Sequence, residues 1–120
     1  MPDLQVDPTA ADPATGLLPE PGRAELRLEQ VLSALSDPLR LDIVQTYLRD
    51  ADGEERACGW FKIDRPKSTR THHWKVLREA GVVRQRQVGL ERRNRVREAD
   101  LDARFPGLLD LVRDWKPADA

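Results

Sequence analysis

Residues Lys67 to Arg97, KSTRTHHWKVLREAGVVRQRQVGLERRNRVR, limit what this chain can fold into more than any other stretch. Apolar residues in its first half recur at helical spacing, and Gly81 directly after Ala80 is a helix stop. Two short β-compatible runs follow, residues 82–88 and 92–97, around the loop residues Gly89, Leu90 and Glu91. A helix, a sharp stop and a hairpin in that order put a helix beside a ribbon. The rest of the chain then has to supply a scaffold for that pair.

Charge follows the same division. The 120 residues carry a net charge of −1, which by itself says nothing about a polyanion partner. Residues 62–97, however, hold twelve Lys or Arg against Asp64, Glu79 and Glu91. Residues 1–22, 23–61 and 98–120 are each net acidic. A basic segment set in an acidic chain is the electrostatic footprint of a nucleic-acid partner, the bland alternative being a solvated charged face.

The flanking segments read as scaffold and tail. Residues 1–22 contain five prolines, four acidic residues and no Lys or Arg, with no apolar periodicity. They are expected to form a disordered acidic tail. Leu28, Val31, Leu32 and Leu35 predict a first amphipathic helix over 23–36. Asp37-Pro38 supplies an N-cap and an N1 proline for a second, over about 38–49. Residues 57–63, ACGWFKI, suit either a helical turn or a short strand. Ser68 or Thr69 can cap a third helix over 68–80. Leu101, Phe105, Leu108, Leu109 and Val112 mark a last helix over about 100–115, with Pro106 as a break or a fresh start inside it. The expected fold is mainly α with a small β-hairpin, an α+β winged helix-turn-helix over 23–116.

Stepping about 100° per residue along the third helix separates two faces. Trp74, Leu77, Ala80 and His73 cluster on the side expected to meet the core. Ser68, Thr71, His72 and Lys75 cluster on the other, a row of short hydrogen-bonding groups and one cation suited to base edges and phosphates. Arg70 falls near the inner face, from which it would have to reach outward.

LSALSDPLRLDIVQTYL followed by KSTRTHHWKVLREAGVV resembles the ArsR family of winged helix-turn-helix transcriptional repressors, over about residues 26–112. The resemblance implies a homodimer built by the first and last helices on a pseudo-palindromic operator in double-stranded DNA. It turns Ser68, Thr69, Thr71, His72 and Lys75 toward that operator, with Lys67 at the head of the helix. It makes Arg84, Arg86, Arg92 and Arg93 wing contacts to the backbone. The chain departs from the family at Arg70, where an apolar residue is common, and before Pro66, where the stretch is less regular than the family's usual helix.

Other chemistry finds few residues to work with. Cys58 is the one cysteine and His72 and His73 the only histidines, too few ligands for a tetrahedral metal site within one protomer. A single thiol forms no internal disulfide and suits a reducing cytosol, so a cytoplasmic protein is expected. No Gly-rich phosphate loop, nucleophile elbow or H-E-x-x-H run is present, and no enzyme activity or cofactor is expected. No apolar run approaches the roughly 20 residues of a membrane helix. A small-molecule or redox-responsive sensor, and a protein-interaction module on the same scaffold, remain alternative readings.

Overall fold

A computed structural model of the chain describes residues 10–118. Among them it contains α1 (Leu28–Leu35), α2 (Pro38–Asp50), β1 (Arg56–Ala57), α3 (Lys67–Glu79), β2 (Val83–Val88), β3 (Glu91–Val96), α4 (Glu98–Arg104) and α5 (Leu108–Asp114). The strands form an antiparallel sheet in the order β1-β3-β2. This is the α+β winged-helix arrangement expected from sequence.

Local chemistry sets the boundaries. Asp37 accepts hydrogen bonds from the Leu39 and Arg40 amides at 2.8 and 3.1 Å, and Pro38 opens α2. At the end of α3, Gly81 adopts φ +83°, its amide reaches Arg78 O at 2.9 Å, and the Val82 amide reaches Leu77 O at 2.9 Å. That paired closure is a Schellman motif, and it turns the chain directly into the hairpin. A Cβ at Gly81 would stand 2.1 Å from Leu26 Cδ2, so the position needs glycine for space as well as for backbone angle.

One apolar core joins both parts. Val31 and Leu35 of α1, Ile43, Val44 and Tyr47 of α2, and Trp74 and Leu77 of α3 pack with Val82, Val83 and Val96 at the hairpin base. Leu101, Leu109 and Val112 close it from the C-terminal side.

Several boundaries differ from expectation. The first helix begins at Leu28, because a 3-10 turn at Arg23–Glu25 and extended backbone at Leu26 and Arg27 carry the buried Leu26 side chain into the core. The hairpin loop is two residues, with Val88 paired to Glu91 and Gly89 at φ +62°. Helix α3 starts at Lys67 with Pro66 as N-cap, so Ser68 and Thr69 lie in its first turn and make no cap hydrogen bond. Residues 57–63 supply only the end of β1, after which 58–66 form turns and no helix. The last helix is two, divided at Phe105-Pro106-Gly107 with Gly107 at φ +89°.

The largest difference lies at the N-terminus. Residues 10–22, read from sequence as part of a disordered tail, are fixed to the domain, and residues 1–9 lie outside the described residues. Gly16 to Leu18 lie along the free edge of β2, with Leu18 N donating to Gln85 O at 3.0 Å and Gln87 N to Gly16 O at 2.7 Å. Leu18 is 2% exposed. Two buried arginines hold the following residues: Arg78 Nε donates to Pro19 O at 3.1 Å and Arg97 Nη1 to Pro21 O at 2.7 Å. Composition alone missed this because the partners of the segment lie about sixty or more residues away in sequence.

Candidate nucleic-acid interface

Helix α3 presents the two faces that its spacing requires. Trp74 (3% exposed), Leu77 (0%) and Ala80 (2%) are buried, and Trp74 meets Tyr47 edge to face at 5.8 Å. Lys67, Ser68, Thr71, His72 and Lys75 are exposed, and Thr69 is half-buried. The two histidines separate as expected. His73 is half-buried, and its Nδ1 accepts from Arg40 Nη1 at 3.2 Å. An arginine can only donate, so Nδ1 carries no proton there. Burial lowers the His73 pKa, partly countered by Asp37, and the Arg40 charge lowers it further. Arg40 also donates to Ala34 O at 2.7 Å, so one guanidinium links the end of α1, α2 and the inner face of α3.

The wing divides by strand alternation. Gln85, Gln87, Arg92 and Asn94 share the face that carries the core residues Val83 and Val96, while Arg84, Arg86, Arg93 and Arg95 share the opposite face. On the inner face Arg78 donates to Gln85 Oε1 at 2.6 Å, and Gln85 Nε2 donates to Asn94 Oδ1 at 2.9 Å. This buried polar chain fixes the hairpin to α3.

Between the outer half of α3 and the hairpin runs a groove of about 500 Å³, lined by Lys67, Arg70, Thr71, Gln87, Leu90 and Arg92 among others. Arg70, hard to place from sequence, is exposed and lies in this groove, with Nη1 held by Arg65 O at 2.9 Å. Arg92 is oriented by Gln87 Oε1 at 2.9 Å. Lys67, Arg70, Lys75, Arg92 and Arg95 have no ion-pair partner among the described residues.

The remaining wing candidates are engaged within the chain. Arg84 forks onto Glu20, with Nη2 to Oε2 at 2.7 Å and Nε to Oε1 at 3.0 Å. Arg86 forks onto Glu55 at 2.8 Å through both Nε and Nη2. Arg93 contacts the same Glu55 at 3.4 Å and Glu91 at 2.6 Å. The Arg86 hydrogen bonds, set against burial and reinforced by the charges of Arg86, Arg93 and Arg95, hold the Glu55 carboxyl below its ordinary range. The structure thus brings Lys67, Thr71 and Arg92 to one groove, leaves Ser68, His72 and Lys75 on the open helix face, and turns Arg84, Arg86 and Arg93 to paired positions. Sequence reading passed over Arg95, which strand alternation combined with a two-residue loop assigns to the outer face.

No group of three or more His, Cys, Asp or Glu side chains among the described residues is placed to hold a metal ion. Cys58 is half-buried, and its amide extends the β1 pairing by donating to Arg92 O at 2.8 Å. No helix among the described residues is long and apolar enough to cross a membrane.

A helix with an open polar face, backed by the core and flanked by an arginine-rich antiparallel hairpin, defines a winged helix-turn-helix protein. No protein-family model matches the sequence. The uncharacterized HTH-type transcriptional regulator YceK of Bacillus subtilis (strain 168) is 35% identical over 85 residues, covering 69% of this chain and 83% of that protein. The chain belongs to the HTH-type transcriptional regulators.

Proposed function

We propose that this protein is a sequence-specific, double-stranded-DNA-binding repressor of the ArsR type, acting as a homodimer. The observation that carries this reading is the open face of α3. Ser68, Thr71, His72 and Lys75 project from a helix whose opposite side is buried by Trp74 and Leu77. In this reading α3 enters the major groove, and Thr71 and His72 meet base edges. Lys67, Thr69, Lys75 and Arg92 take phosphates beside them, joined by Arg70 from the groove. Arg84, Arg86 and Arg93 contribute less than sequence reading gave them, since each already has a carboxylate partner.

Exposed apolar side chains on the two outer helices support the dimer. Leu28 and Leu32 of α1 are 45% and 47% exposed, and Leu111 of α5 is 66% exposed. A second copy covering them would place two α3 helices in successive major grooves, about 34–36 Å apart. The DNA-binding and dimerisation unit is residues 23–116 together with the packed arm from about Gly16. Selection of bound duplexes from a random pool tests the reading. The expected product is a pseudo-palindrome with half-sites about 10 base pairs apart, centre to centre. Recovery of no enriched sequence would count against base readout by α3.

A further inference from the structure

We propose that Glu20 and Glu55 are specificity-determining residues, carboxylates that keep Arg84, Arg86 and Arg93 of the wing off the DNA backbone. The inference rests on the DNA-binding reading above and concerns which charges of the wing are available to it.

The two acids come from different parts of the chain and reach the same outer face of the hairpin. Glu55 ends the connection between α2 and β1, and Arg56 directly after it pairs with Asn94 in the sheet. That placement brings the Glu55 carboxylate across both Arg86 (2.8 Å) and Arg93 (3.4 Å), which are themselves cross-strand partners. Glu20 is delivered by the arm. The carbonyls on either side of it, of Pro19 and Pro21, are held by the buried Arg78 and Arg97. The Glu20 side chain therefore has little freedom to leave Arg84, which forks onto it at 2.7 and 3.0 Å.

Both pairs are two-pronged guanidinium–carboxylate contacts on half-buried residues, the geometry in which such pairs hold best. An arginine so engaged must break its pair before it can take a phosphate. Of the five hairpin arginines, this leaves Arg92 and Arg95 free of carboxylates among the described residues. Sequence-independent affinity scales with the number of phosphates neutralised, whereas discrimination comes from base contacts. Masking wing cations therefore lowers binding to every duplex while leaving the α3 contribution intact, and raises the ratio of specific to non-specific binding.

The test compares wild type, Glu55→Gln, Glu20→Gln and Glu55→Asp for binding to a mixed-sequence duplex across a salt series. Freeing one phosphate contact should steepen the slope of log affinity against log salt by about one, and between about 50 and 200 mM salt that contact alone changes affinity about threefold. Glu55→Gln and Glu20→Gln should each show the steeper slope and tighter low-salt binding. Glu55→Asp, which keeps the charge, should stay near wild type. Adding Arg86→Gln to Glu55→Gln should return the slope toward wild type, an effect that loss of packing would not reproduce. Slopes of both Gln variants superimposed on wild type would overturn the proposal while leaving DNA binding standing. A wild-type protein that binds no duplex at low salt would overturn both.

Discussion

At the residue scale, the neighbouring histidines show how much one step of 100° decides. His72 is exposed on the face assigned to bases, and its replacement by alanine should cost roughly 1–3 kcal/mol of discrimination between selected and mutated duplexes. Competition binding measures that difference, and the thermal midpoint should barely move. His73 has the opposite role. Its pKa is lowered chiefly by burial, so between the ordinary value of 6.5 and the lower folded value the unfolded chain holds more protons. The stability tied to His73 is therefore fully present above pH 6.5 and is lost as pH falls through the folded value. Protonation would also set an imidazolium against the Arg40 guanidinium now 3.2 Å away. Urea midpoints measured from pH 7.5 down to about 5 should fall in the wild type and fall less in His73→Gln, which cannot titrate. Both assignments follow from sequence spacing. The Arg40 contact does not, because it joins residues 33 positions apart.

At the element scale, junctions carry more information than helix interiors. Asp37-Pro38 and Ala80-Gly81 are local signals, and the chain uses both as written. Gly81→Ala should destabilise the fold by about 1–3 kcal/mol, since it combines an unfavourable backbone angle with a collision at Leu26. Equilibrium denaturation reads that loss directly, and an unchanged midpoint would mean the junction relaxes freely. Other boundaries were illegible because nonlocal partners set them. Leu26 is extended to reach the core, and residues 58–66 follow the course laid down by β1 pairing with β3. The wing shows both sides of this. Its alternation is readable once the loop is two residues, but the loop length itself depends on Val88 pairing with Glu91.

At the scale of the whole molecule, the acidic N-terminal stretch is part of the domain from about Gly16 onward. Removing residues 1–22 would expose the β2 edge, uncover the Leu18 site and take carbonyl partners from Arg78 and Arg97. A loss on the order of 3 kcal/mol or more is expected from one lost aliphatic burial and two weakened buried cations. Denaturant midpoints of the truncated and full chains give the comparison. A truncated chain as stable as the full one would restore the reading of a solvated tail. Composition could not locate this contact, since its prolines and acids also suit a chain that packs nowhere. The net charge of −1 concealed a segment dense in arginine, and pairing within the fold conceals part of that segment again.

The central claim is that the exposed face of α3 and the free cations beside it bind duplex DNA. The most direct measurement is the affinity of the full chain for a fluorescent duplex, titrated from low to moderate salt. The account predicts tight binding at low salt and a linear fall of log affinity with log salt, with a slope of several units for a dimer engaging several phosphates. The Lys75→Ala and Arg92→Ala variants should each flatten that slope by about one. An absence of duplex binding at low salt, or an affinity indifferent to salt, would contradict it.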